Sequence, residues 1–163
     1  MKKIILIGFA ASGKSSVGKL IAQKMNMEFV DTDLEIQRQC GLSIREIFDK
    51  FGERYFRQKE NELLATLAPR QNVVVSCGGG SVMSENFAQF ERDSLVVLLT
   101  ATAATVKNRL GDIPRPLFDG LSEQELAEYI ATRAPLYQRY ADVTFSTDNL
   151  TIEQLADRVI CIL

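Results

Sequence analysis

Histidine is absent from this chain. Its absence removes the side chain used most often for general acid–base catalysis and for metal ligation near neutral pH. Any chemistry therefore falls to carboxylates, lysine and a hard, oxygen-bound cation. Cysteine is scarce: Cys40, Cys77 and Cys161 are an odd number at unrelated spacings, and no CxxC pair points to zinc or to a dithiol redox site. That usage fits a reducing compartment, so a cytoplasmic location is expected. Long apolar runs are missing as well. Ile4-Ile5-Leu6-Ile7 is far shorter than a secretory h-region or a membrane span, so neither export nor anchoring is expected. A net charge of −2 supplies no general cationic field to gather nucleic acid or anionic lipid. Anionic substrates must be met by local arginines. No heptad pattern or long apolar surface stripe is present, so a monomer is the default expectation.

What the chain does contain is the composition of one globular domain: 163 residues, 46% hydrophobic and 25% charged, expected to form a single unit over residues 1–163. Short runs rich in Ile, Val, Leu or Phe occur at about 2–7, 28–31, 73–76, 94–99 and 142–146 without clear alternation, as in strands buried on both faces of a parallel sheet. Segments of helical spacing lie between them. Val17, Leu20, Ile21 and Met25 form one apolar stripe, and Ile152, Leu155, Val159 and Ile160 form another. Ser43-x-x-Glu46, Ser122-x-x-Glu125 and Thr151-x-x-Gln154 read as capping boxes, and Gly41 and Gly111 as helix stops. Strand and helix alternate, which predicts an α/β fold: a three-layer α/β/α sandwich around a parallel sheet of about five strands. Two stretches break the rhythm. Residues 33–70 suggest two or three short helices with room for a second substrate. Residues 111–121, with two prolines and two glycines before Leu121, suggest a surface loop able to act as a lid.

The sharpest motif is Gly8-x-x-x-x-Gly13-Lys14-Ser15, extended by Ser16, which follows a predicted strand and opens an amphipathic helix. Its glycines let backbone N–H groups turn toward phosphate oxygens, and the helix N-terminus adds its positive end. In such a loop Ala11, Ser12 and Gly13 cradle a nucleoside triphosphate, Lys14 reaches the β- and γ-phosphates, and the Ser15 hydroxyl binds Mg²⁺. Asp31 and Asp33 fall at the end of the second strand, where alternate residues point the same way and both carboxylates can face the cleft. Asp33 reads equally as the N-cap of the next helix. Arg57 sits on a helical stretch with Glu60 one turn on, able to orient the guanidinium. Gly78-Gly79-Gly80 ends the third strand, where it is either a flexible turn or a close backbone approach to a ligand. Arg115, between Pro114 and Pro116, lies in the expected lid just after Arg109. Arg133 precedes Ala134-Pro135, where a proline is expected to break or restart the helix. Each of these residues alone also reads as ordinary surface or turn chemistry.

Taken together and in order, the residues resemble the shikimate kinase family over nearly the whole chain. The resemblance is carried by the phosphate loop Gly8 to Ser16, Asp31-Thr32-Asp33, Phe56-Arg57-Gln58-Lys59-Glu60, Gly78 to Gly80, Arg115-Pro116-Leu117, and Arg133-Ala134-Pro135-Leu136-Tyr137. It implies a nucleoside monophosphate kinase-like fold and transfer of the ATP γ-phosphoryl group to the 3-hydroxyl of shikimate, on the route to chorismate and the aromatic amino acids. It further implies that Asp31 holds Mg²⁺ through water and that Asp33 binds the acceptor hydroxyls. Arg57, Gly79 and Arg133 would fix shikimate, Arg115 would contact the phosphates, and Arg109 would lie near the adenine. A departure is Ala11, where many members of the family carry glycine; alanine resists a positive φ. Two alternatives stay open: another small-metabolite kinase of this architecture, such as a gluconate or nucleoside monophosphate kinase, or a nucleotide-binding regulator without catalysis.

Overall fold

The apolar runs become five parallel strands: β1 (Lys3–Ile7), β2 (Glu28–Asp31), β3 (Val73–Ser76), β4 (Ser94–Thr100) and β5 (Val143–Ser146). The computed structural model describes residues 3–111 and 118–163. The sheet order is β2-β3-β1-β4-β5, with Ile5 of β1 facing Val75 on one side and Val96 on the other. Because successive strand residues point to opposite faces, β1 feeds two cores. Ile4 and Leu6 join Val17 and Ile21 of α1 (Lys14–Met25) and Leu155 and Val159 of α7 (Ile152–Ile160). Ile5 and Ile7 join Ile36 of α2 (Thr32–Cys40), Leu63 and Leu64 of α3 (Ile44–Leu67), and Phe87 and Phe90 of α4 (Phe87–Phe90). These two apolar layers, one on each sheet face, make the three-layer sandwich that the unbroken runs predict. A smaller third cluster of Phe9, Val106, Leu110 and Leu126 links the loop after β1 to α5 (Ala103–Leu110) and α6 (Glu123–Gln138).

Local chemistry sets the helix ends. All three capping boxes form, each with the reciprocal pair of bonds, and Gly41 stops α2 in the left-handed region at φ 65°. The excursion after β2 holds the expected short helices, α2 and the two helices joined across a kink within the 24-residue span of α3. Gly52, at φ 80° and ψ 169°, breaks α3 into two arms, a conformation only glycine takes cheaply. Pro135 does not break α6: the helix runs on to Gln138 although the proline removes the bond to the carbonyl four residues back and crowds it. Ile152 leaves the α7 stripe; it is 47% exposed and lines a cleft beside Ala11 and Arg109. Only Leu126 and Tyr137 of the 16 residues in α6 are buried.

Lys3 is fully buried at the opposite end of β1 from the loop. Its Nζ donates to the carbonyls of Ala68 (2.9 Å) and Phe90 (2.6 Å), which close α3 and α4, and it lies 4.6 Å from the Phe90 ring centroid. Helix C-termini are the favourable place for a buried cation. Burial lowers the pKa of Lys3, with Cys77, Asp93 and Glu91 pulling the other way. Among the described residues no helix is long and apolar enough to cross a membrane.

Candidate active site

The sheet order reverses at β1, with β3 on one side and β4 on the other, so the crevice past the strand ends opens at the loop Gly8 to Ser15. Gly8 is at φ 139°, and a Cβ there would collide with the Leu99 carbonyl oxygen. Gly13, at φ 93°, enters α1 without a side-chain cap, which leaves the first N–H groups of the helix facing the loop. Lys14 is buried, and its Nζ donates to the carbonyls of Gly8 (2.9 Å) and Phe9 (2.7 Å) and to Ser12 Oγ (3.4 Å). Its charge is thus held at the mouth of the loop. Ala11 takes φ 56° despite its Cβ, at a cost of about 1 kcal/mol. The loop keeps its left-handed turn rather than avoiding it.

Ser15 Oγ donates to Asp31 Oδ2 and lies 3.3 Å from Ser76 Oγ. The other oxygen of Asp31 accepts from the N–H groups of Asp33 (3.1 Å) and Leu34 (3.2 Å). Asp31, not Asp33, is therefore the N-cap of α2. Asp33 lies in the first turn of that helix rather than on β2, so strand alternation is not what turns its carboxylate into the cleft. An adjoining hydroxyl and carboxylate suit a Mg²⁺ ion, which takes few protein ligands and fills its shell with water and phosphate oxygens. Among the described residues no cluster of three or more Asp, Glu or Cys forms a closed metal cage.

Beside the loop opens a cleft that Phe9 and Ala10 share with Asp33, Arg57, Gly78 to Gly80 and Arg133. Two of these glycines are fitted to their neighbours: a Cβ on Gly78 would meet the Asp33 carboxylate and one on Gly80 the Arg57 guanidinium, while the carbonyl of Gly79 accepts from Tyr137 Oη at 2.6 Å. The turn is therefore a fitted surface, not a flexible one. Thr32 Oγ1 fixes its first residue by accepting from Gly78 N–H at 2.8 Å. Arg57 Nη1 bonds Glu60 Oε2 at 2.9 Å, and Ser81 Oγ donates to the other oxygen of Glu60 at 2.7 Å. Burial alone would lower the pKa of Arg57, yet Glu60 and Glu53 hold it above its ordinary value. Arg57→Ala is expected to leave the Glu60 carboxylate, 1% exposed, without its cation, costing about 2 kcal/mol and roughly 4–8 °C in Tm. Calorimetric melting checks it; an unchanged Tm would mean that Glu60 is satisfied by Ser81 alone.

Arg133 Nη2 donates to Tyr129 Oη at 2.8 Å and stacks over that ring. Burial pushes the Tyr137 hydroxyl up to about 12, against the pull of Arg133, so it keeps its proton for Gly79. Two guanidinium groups, the Asp33 carboxylate, a Glu60 carboxylate already paired with Arg57, and aromatic walls in one cleft suit a small, hydroxylated anion. The aromatic walls are what sequence reasoning missed. Phe9, Phe48, Phe56, Phe118, Tyr129 and Tyr137 line the cleft, and Phe118 packs 5.1 Å from Phe9, centroid to centroid. Apolar periodicity does not separate such residues from core; the signals were Phe9 in the phosphate loop, Phe56 at the start of one motif and Tyr137 at the end of another. Behind the turn, burial pushes the Cys77 thiol up, so it stays a neutral part of the core, and all three cysteines are free thiols.

On the other side of the loop, Ala11, Gly13, Ser16, Arg109, Leu110 and Ile152 line a second cleft whose apolar sides and one cation suit a planar base. Arg109 donates to Ala11 O and to Thr147. Arg115 and most of the expected lid fall within residues 112–117, outside the described residues.

The family model for shikimate kinase matches residues 10–163. A curated shikimate kinase of Thermodesulfovibrio yellowstonii is 39% identical over 163 residues, covering 98% of this chain and 94% of its own. The solved structure of the shikimate kinase from Acinetobacter baumannii in complex with shikimate superposes with a TM-score of 0.92 at 32% identity, covering 99% of this chain and 92% of its own. A gluconokinase from Sinorhizobium meliloti, 17% identical with a TM-score of 0.62 and covering 98% of this chain and 90% of its own, is similar in fold alone.

Proposed function

The chain belongs to the shikimate kinase family, and from that premise we infer that it transfers the γ-phosphoryl group of ATP to the 3-hydroxyl of shikimate. The observation that carries this reading is one cleft in which Asp33, Arg57 and Arg133 meet the phosphate-loop residues Phe9 and Ala10. An acceptor held there lies against the loop that holds the donor. A coupled ADP-release assay across shikimate, gluconate and nucleoside monophosphates tests it. Turnover with shikimate is expected; turnover with another acceptor and none with shikimate would overturn it.

In the transfer, the acceptor oxygen forms a bond to the γ-phosphorus, the bond from that phosphorus to the β–γ bridging oxygen breaks, and ADP leaves. Positioning and charge neutralisation do most of this work. Lys14, together with the N–H groups of the loop and of α1, neutralises the migrating phosphoryl group. Ser15 and Asp31 would hold Mg²⁺, which would offset the charge of the phosphates. Asp33 binds the acceptor hydroxyl and takes its proton as the oxygen attacks. Arg57 and Arg133 grip the shikimate carboxylate, with the turn Gly78 to Gly80 as the floor. Arg115 is proposed to contact the phosphates and Arg109 to lie at the base. Closure of residues 111–121 would exclude water as a competing acceptor. A cytoplasmic, monomeric enzyme accords with its three free thiols and small soluble substrates.

Arg133→Ala removes one arm of the carboxylate grip without touching the phosphate loop. We expect KM for shikimate to rise about 10- to 100-fold with KM for ATP unchanged. Steady-state kinetics varying each substrate reads this directly, and equal weakening of both would refute the assignment.

A further inference from the structure

We propose that Arg109 is a positioning residue for the phosphate loop, holding Ala11 in its left-handed turn by gripping the Ala11 carbonyl and tying it to Thr147. The inference rests on the ATP-dependent reading above and deepens it.

Four described non-glycine residues have positive φ: Ala11, Asn26, Asn72 and Asp93. Asparagine and aspartate tolerate the left-handed region through local hydrogen bonds of their side chains, and alanine has no such means. Ala11 must therefore be held from outside. Arg109 Nη1 donates to Ala11 O at 3.0 Å and to Thr147 Oγ1 at 2.9 Å, while Nη2 donates to Thr147 O at 3.0 Å. The far end of this tether is firm, because Thr147 is 2% exposed and its N–H is bound to Thr100 O at 2.8 Å, at the end of β4. The near end is one peptide unit held twice: its carbonyl is that of Ala11, and its N–H, that of Ser12, donates to Phe9 O at 3.3 Å. The planar guanidinium supplies donors in the fork this needs, whereas a lysine ammonium carries the same charge without the fork. A glycine at position 11 would need no tether, since it takes positive φ without strain.

Inorganic tripolyphosphate, which has phosphates and no base, separates this role from a contact to adenine. Its binding, with ATP in parallel, is measured by titration calorimetry for the wild type, Arg109→Lys, Ala11→Gly and the double variant. Arg109→Lys is expected to weaken tripolyphosphate about tenfold, and Ala11→Gly to restore that affinity to within about twofold in the Arg109→Lys background. Tripolyphosphate binding unchanged by Arg109→Lys, or not restored by Ala11→Gly, overturns the proposal and leaves the kinase reading standing. A wild-type protein that bound neither probe would overturn the kinase reading itself. Thr147→Val loosens the same tether from its far end and is expected to show a smaller loss with the same rescue. It decides the matter if Arg109→Lys does not fold.

Discussion

Asp33→Asn is expected to lower kcat by about 10²- to 10⁴-fold while leaving ATP binding near that of the wild type, because the loss falls on proton transfer rather than on the nucleotide. The placement of this carboxylate supports so large an effect. Asp33 shares the acceptor cleft with Arg57 and Arg133, and the other carboxylate that lines it, Glu60, is buried and already engaged by Arg57 and Ser81. Asparagine keeps the size and the acceptor oxygen but cannot take a proton. Its amide can still hold the shikimate hydroxyl, so KM for shikimate should move less than kcat. Single-turnover phosphoryl transfer, measured with saturating ATP and shikimate, isolates the chemical step. A rate within a few-fold of the wild type would show that Asp33 only orients the acceptor.

Lys14→Met is the second large change, with kcat expected to fall by about 10²- to 10³-fold, the usual cost of losing one preorganised charge at the reacting centre. Lys14 is buried and held on the carbonyls of Gly8 and Phe9, so its ammonium is already in place before nucleotide arrives. Methionine fills the same volume without the charge. Lys14→Arg should not restore the rate, because a planar fork cannot replace a compact ammonium within the curl of the loop. Loss of ATP binding with an unaltered single-turnover rate at saturation would instead assign Lys14 to ground-state binding.

The sheet was legible because its strands are buried on both faces and so appear as unbroken apolar runs, and the helix starts because capping boxes are short-range chemistry. The site was legible in its charged residues and much less in its walls. Phe48 and Phe56 look like core by spacing and become cleft only through the break at Gly52 and the packing of α3, which no local pattern encodes. Whether Asp33 is the cap of α2 stays open in the sequence because two aspartates stand two residues apart. The tie was decided by where β2 stops, at Asp31, and boundaries depend on tertiary pairing more than on propensity. Pro135 misled for a related reason: a proline removes one bond to the turn before it and crowds that turn, yet α6 continues through it to Gln138 on its remaining contacts.

Helix α6 buries only Leu126 and Tyr137, with Tyr129 and Ile130 packed in part against the third cluster, yet it carries Arg133. An element with so little buried surface opens at a small fraction of the global unfolding free energy. If Arg133 grips shikimate as proposed, the substrate adds to the surface that holds α6 in place. Its apparent affinity is then the intrinsic one scaled by the fraction of molecules with α6 docked, and amide hydrogens of α6 should gain protection from exchange on shikimate binding while those of β1 stay as they were.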